Sequence, residues 1–176
     1  LLCLLLPAVA GAKELFNGKD LTGWDGDQRL WRVEDGVLIG ETDKADRKVD
    51  KNTFLIWKGG QPGDFTLRYK ARVTGNNSGV QYRSRRIGDE GWRIGGYQMD
   101  LHPKQEYLGM LYEEQGRGIQ CIRGQKVELP SAGGKPKETG KLEVEKVDLA
   151  EWIEFRIVAR GNVVQHYVYG KLAAEI

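Results

Sequence analysis

Phe65-Thr66-Leu67-Arg68-Tyr69-Lys70-Ala71-Arg72-Val73 alternates apolar and polar residues without a break. A strand turns successive side chains to opposite faces. Phe65, Leu67, Tyr69, Ala71 and Val73 therefore share one face, and Thr66, Arg68, Lys70 and Arg72 the other. The period returns over 151–160, where Ile153, Phe155, Ile157 and Ala159 oppose Glu154 and Arg156. Gly161-Asn162 then forms a hairpin-type turn into 163–169. Further strands are expected over 31–33, 37–39, 54–57, 80–84, 97–102, 107–113 and 118–123, with Glu34-Asp35-Gly36 as a turn between the first two. No window longer than ten residues sustains a helical period with start and stop signals. Many short strands with glycine-rich turns define an all-β sandwich or barrel. The segment 124–147, with Pro130, Gly133-Gly134 and Pro136, reads as a long loop carrying at most a small hairpin.

Composition excludes several classes. At 176 residues with 40% hydrophobic content the chain builds a sizeable core in one domain. Its 27 basic and 25 acidic residues nearly cancel to +2, so no electrostatic case exists for a nucleic-acid partner. The first twelve residues, Leu1-Leu2-Cys3-Leu4-Leu5-Leu6-Pro7-Ala8-Val9-Ala10-Gly11-Ala12, have the apolar run and small-residue site of a secretory signal remnant. They are too short to span a bilayer, so no membrane span is expected. Export to the periplasm or the extracellular space is the expectation, with one domain over 13–176. Removal of the leader leaves Cys121 as a lone cysteine, so disulfides play no part in the fold. The sequence also stops just after the turn at Tyr169-Gly170-Lys171, and missing C-terminal strands are expected.

Phosphate loops, Gly-x-Ser-x-Gly elbows, His-Glu-x-x-His and Cys-x-x-Cys pairs are absent from the sequence. With only His102 and His166, a His-rich metal cluster is excluded. Chemistry is left to carboxylates, Tyr, Lys, Arg or a single His. In Gly95-Gly96-Tyr97-Gln98-Met99-Asp100-Leu101-His102, a strand places Gln98, Asp100 and His102 in a polar stripe opposite Tyr97, Met99 and Leu101. An ordinary solvated sheet face would carry the same pattern. In Gly75-Asn76-Asn77-Ser78-Gly79-Val80-Gln81-Tyr82-Arg83-Ser84, the residues Gly79, Gln81 and Arg83 are expected on one face, after a tight Asn-Asn-Ser turn. Arg83 can hold a hydroxyl or carboxylate through paired hydrogen bonds, or stand as a surface arginine. In Leu108-Gly109-Met110-Leu111-Tyr112-Glu113-Glu114, an unbroken strand puts Glu113 with Gly109 and Leu111, and Glu114 with Tyr112. A solvated loop is the alternative there.

These blocks carry a resemblance. Glu14-Leu15-Phe16-Asn17-Gly18-Lys19-Asp20-Leu21-Thr22-Gly23-Trp24 resembles the opening of the 3-keto-disaccharide hydrolase domain family. Trp31 to Leu38, Asp64 to Leu67, Asn77 to Ser84, Gly96 to Asp100, Gly109 to Tyr112 and Glu151-Trp152 follow in that family's order. The resemblance implies a concanavalin A-like jelly roll of two antiparallel sheets with a concave face that handles carbohydrate. Two positions depart from the family's pattern, Ile153 and Tyr169, where it usually has Asn. Laminarinase-type relatives carry a Glu-x-Asp-x-x-Glu strand. Here Gln98 and Asp100 stand without the glutamates, which argues against a double-carboxylate glycosidase.

The activity implied is cleavage of a 3-keto-disaccharide or glycoside. A carbonyl at C3 acidifies the C2 proton, so a base forms an enolate that expels the C1 leaving group, and water adds back. Such a site needs a base, a donor for the enolate oxygen and an acid. Asp100 or His102 is the candidate base, Arg83 or Tyr112 the enolate stabiliser, and Glu113 the acid if burial raises its pKa. Asn77, Arg83, Gln98 and Tyr112 form the expected substrate-binding set. A divalent cation such as calcium, with Asp100 as ligand, can replace Arg83 in that scheme. The alternatives are a lectin-like module without chemistry, using Trp92, Tyr97 and Tyr112 as aromatic platforms, or an interaction domain of a larger exported protein.

Overall fold

Two-residue hairpins set much of the strand order. Asp35 and Gly36 both hold positive φ, 50° and 75°, the backbone of a type I′ turn. They join β2 (Trp31–Glu34) to β3 (Val37–Gly40) in antiparallel register, Glu34 opposite Val37. The other short pair is β1 (Trp24–Asp25) with β4 (Ile56–Trp57). Both belong to one compact unit, Leu1–Gly60 with Glu90–Trp92, where Trp92 Nε1 donates to Asp25 Oδ1 at 2.8 Å. This computed structural model describes residues 11–42, 45–88, 91–131 and 133–176. The leader expected over 1–12, with Cys3, falls outside them except for its last two residues. Among the described residues the only helical turn is a 3₁₀ segment, Ala45–Arg47, and no helix is long and apolar enough to cross a membrane.

The second unit, Gln61–Asp89 with Arg93–Ile176, holds the two main sheets. Four strands form one of them in sequence order: β6 (Ser78–Arg86), β7 (Ile94–Leu101), β8 (Leu111–Glu114) and β9 (Gly118–Cys121). The other contains β5 (Phe65–Ala71), β10 (Gln125–Glu128), β11 (Lys137–Lys141), β12 (Ile153–Arg160), β13 (Val163–Val168) and β14 (Lys171–Glu175). Its order is β11-β10-β14-β13-β12-β5. All pairs are antiparallel except β10 with β14. The fold is the expected all-β jelly-roll sandwich.

The alternating strands pack as their sequences require. Ile153, Phe155, Ile157 and Ala159 of β12 are all but fully buried, and meet Met99, Leu101 and Leu111 of the four-stranded sheet in one core. Phe65, Leu67, Tyr69 and Ala71 line the same core from β5. Tyr69 stacks on Phe155 with ring centres 5.3 Å apart.

Two expectations need correction, and one strand is added. The segment 124–147 is not only a loop with a hairpin: β10 and β11 extend the six-stranded sheet, and β10 pairs with β14. The strand expected from 107 begins at Leu111, because Gly109 holds φ 85° and Met110 N–H turns back to the Tyr107 carbonyl at 3.1 Å. The residues after Tyr169-Gly170 form β14, whose small Ala173 and Ala174 are buried in the core.

One polar chain crosses that core. His166 of β13 is fully buried, and its Nδ1 lies 2.9 Å from the Gly109 carbonyl. A carbonyl only accepts, so Nδ1 carries the proton and Nε2 accepts from the Tyr82 hydroxyl at 2.8 Å. Desolvation pulls the His166 pKa down to about 4, against the opposing pull of its Gly109 contact. The unfolded chain therefore binds this proton first as pH falls. The neutral imidazole contributes its full stability above pH ~6.5, and that contribution is lost as pH drops toward 4. Denaturant titration between pH 7 and 4 should show the wild type losing about 3 kcal/mol more than His166→Gln. Parallel curves for the two proteins would contradict the buried neutral imidazole.

Candidate active site

Register decides which side chains share the face turned away from the core. Gly79 lies opposite Asp100, Gln81 opposite Gln98, Gln98 opposite Tyr112, and Gly96 opposite Glu114. Paired residues point the same way, so Gln81, Gln98, Asp100, Tyr112 and Glu114 form one polar face. Tyr82, Tyr97, Met99, Leu101 and Leu111 take the core side. This is the stripe expected from the alternation of β7. It is not a solvated face, since Gln98, Asp100 and Glu114 are 6%, 2% and 5% exposed.

Gly79 makes room for Gln98. A Cβ there would sit 2.4 Å from Gln98 Cδ, so the amide lies over the bare backbone of β6. Gln81 Nε2 donates to Gln98 Oε1 at 3.1 Å and holds it there. Asn77, just before β6, reaches Asp100: its Nδ2 donates to Oδ1 at 3.3 Å. The Asp100 backbone is clamped from the turn before β8, with its N–H donating to the Met110 carbonyl at 3.2 Å and its carbonyl accepting from Gly109 N–H at 2.7 Å.

Burial raises the Asp100 pKa above the ordinary carboxylate value. The Asn77 hydrogen bond, the charge of His102 and the Leu101 backbone N–H oppose that rise, while the Glu114 charge adds to it. The result is an ionisable acid more basic than a solvated aspartate. His102 follows directly after β7. Its Nδ1 accepts the Lys104 backbone N–H at 3.0 Å, which leaves Nε2 as the nitrogen that carries a proton. Tyr107 meets the ring edge-on at 5.1 Å.

Two candidates lie apart from this group. Between Tyr82 and Arg85 the β6–β7 register shifts by one residue, and Arg83 takes φ 47°. The bulge ends the alternation that would have put Arg83 beside Gln81, and the guanidinium lies 3.5 Å from Asp64 instead. Glu113 is opposite Tyr97, on the other side of the sheet from Asp100, and is ion-paired with Arg117. Arg117 also donates to the Tyr97 hydroxyl at 3.4 Å. The structure thus brings together Asn77, Gln98, Asp100 and Tyr112, with His102 at the strand end, and leaves Arg83 and Glu113 out.

Gln81 and Glu114 join the expected binding residues on this face. Parity with Tyr112 and Gln98 is the signal that finds both. Among the described residues no group of three or more His, Cys, Asp or Glu side chains is placed to hold a metal ion.

The fold is a β-sandwich that carries a buried acid on a polar sheet face. The chain belongs to the 3-keto-alpha-glucoside-1,2-lyase-like domain family, whose sequence profile matches residues 11–176. It is similar in structure to a crystallised protein from Parabacteroides distasonis described as a candidate glycosyl hydrolase, with TM-score 0.59 and 20% identity. That match covers 92% of this chain and 70% of the other, and bears on the fold alone. No curated protein sequence matches the chain.

The Asp100 environment has a direct test. Carboxyl NMR titration should give a midpoint above the ~3.9 of an ordinary aspartate, and Asn77→Ala should raise it further by removing a bond to the charged form. A midpoint below ~3.9, or one lowered in Asn77→Ala, would contradict the balance described.

Proposed function

We propose that the Asp100 face cleaves 3-keto-glycosides by eliminating the C1 substituent. The observation that carries this reading is Asp100 itself, an acid with raised basicity, buried among hydrogen-bonding side chains in a family of 3-keto-glucoside lyase type. Asp100 takes the proton from C2, and the electron pair moves into the C2–C3 bond with charge on the C3 oxygen. The Tyr112 hydroxyl and the Gln98 amide are the donors on this face that meet that charge. Collapse of the enolate restores the carbonyl, forms a C1–C2 double bond and breaks the bond from C1 to the leaving oxygen. His102 Nε2–H suits the acid role, because its Nδ1 is already occupied as an acceptor. Water adding to C1 with a proton to C2 completes a net hydrolysis. The leader-like residues support an exported enzyme, working in the periplasm or outside the cell.

Asp100→Asn keeps the shape and removes the proton acceptor. Turnover of a 3-keto-disaccharide by the full-length protein should fall about 100-fold or more, with the fold intact. Arg83→Ala should stay within about threefold of wild type, since its guanidinium lies at Asp64 on an exposed pair. Wild-type turnover in Asp100→Asn would remove Asp100 from the mechanism. Absence of turnover in the wild type would remove the proposed reaction.

A further inference from the structure

A concavity lies away from the Asp100 face in the same unit. It has a volume of about 480 Å³, the size of a small-ligand pocket, and none of the Asp100-face residues line it. Trp152 and Tyr169 are on its walls, 44% and 70% exposed. The Arg72 guanidinium sits over the Trp152 ring at 5.1 Å and holds the indole in place.

Tyr169 is a conformational outlier. It takes φ 52° ahead of Gly170 at 78°, the first corner of a type I′ turn between β13 and β14. Asn or Gly occupies such a corner readily, whereas a bulky side chain there is strained. The protein accepts this strain and presents an exposed aromatic ring at the groove.

Arg123 is the second, independent observation. It lines the groove yet is only 8% exposed. Of its five N–H groups, Nη1 serves Gln105 Oε1 at 2.9 Å and Nη2 the Glu145 carbonyl at 2.6 Å. Nε has no acceptor among the described residues, and desolvation lowers the pKa of the group. Nε is closed off, whereas Nη1 and Nη2 each spend one N–H on a neutral protein oxygen and keep a second for a ligand oxygen. The rest of the lining balances: Lys146 and Lys171 with Arg123 against Glu145, Asp148 and Glu151, with Lys171 ion-paired to Glu145. That balance disfavours an anion and suits a ligand that both donates and accepts.

We propose that this groove is a second carbohydrate-binding site for neutral oligosaccharide, separate from the Asp100 face. Sugar rings stack their apolar faces on Trp152 and Tyr169, and hydroxyls bond to Arg123 and the charged pairs. The site would hold a polymer or oligosaccharide beside the enzyme, and it does not require the proposed reaction to be correct.

Calorimetric titration of the full-length protein with a soluble β-1,3-glucan, a soluble α-1,4-glucan and polygalacturonate tests it. The wild type should bind at least one neutral glucan in preference to polygalacturonate. Trp152→Ala should weaken that binding about tenfold. Tyr169→Asn should weaken it while raising the unfolding midpoint, because strain and ring are removed together. Asp100→Asn should bind the glucan as the wild type does, whatever it does to turnover. No glucan binding by the wild type, binding retained in both aromatic variants, or binding lost in Asp100→Asn would each overturn the proposal.

Discussion

The neutral imidazole of His166 is the constraint on which the rest of this unit depends. It accepts from Tyr82 on β6, donates to the Gly109 carbonyl, and so ties the six-stranded sheet to a strand of the four-stranded one and to the turn that leads into β8. Every polar atom of that chain is satisfied inside an apolar core, where a missing partner would cost about 1–3 kcal/mol. Gly109 is held in place by the same contact, and a Cβ on it would press within 2.9 Å of Val168. Its N–H in turn bonds to the Asp100 carbonyl. The core network thus ends one peptide away from the acid that the functional reading rests on.

This arrangement explains how a thin sheet can be greasy on one side and chemical on the other. Met99 and Leu101 fix the inward face of β7, so Gln98 and Asp100 have no alternative but the outward one. A slip of one residue would bury the acid in the core and expose the apolar pair. Gly79 and Gln81 then set the height and direction of Gln98, and Asn77 reaches Asp100 from the turn before β6. Packing therefore positions the acid and its neighbours before any substrate arrives, which is what electrostatic preorganisation requires.

The alternating strands were legible because apolar side chains share the core face of each: β5 and β12 follow the period of two along their length, and β7 keeps it in sequence from Tyr97 to Leu101 although both its faces are covered. The Gln98–Asp100 stripe was legible for the same reason. Arg83 was not, because a bulge is a register event between two strands and leaves no mark on the alternation of either alone. Its one trace is Gly95-Gly96 on β7, where a Cβ on Gly96 would lie 2.6 Å from Ser84 Cα. Strand β14 escaped for a different reason. Leu172-Ala173-Ala174-Glu175 has weak strand propensity, and only tertiary packing of the small alanines makes it a strand. The parallel pairing of β10 with β14 is likewise set by the sheet as a whole.

The central claim is that a proton leaves C2 of the sugar before the glycosidic bond breaks. Isotope exchange reads that step without depending on which residue performs it. Cleavage of a 3-keto-disaccharide by the full-length enzyme in deuterated water, followed at early times against an enzyme-free control, should place deuterium at C2 of the released 3-keto sugar. Product that keeps its original C2 hydrogen while the bond is cut would show direct displacement at C1 and contradict the account.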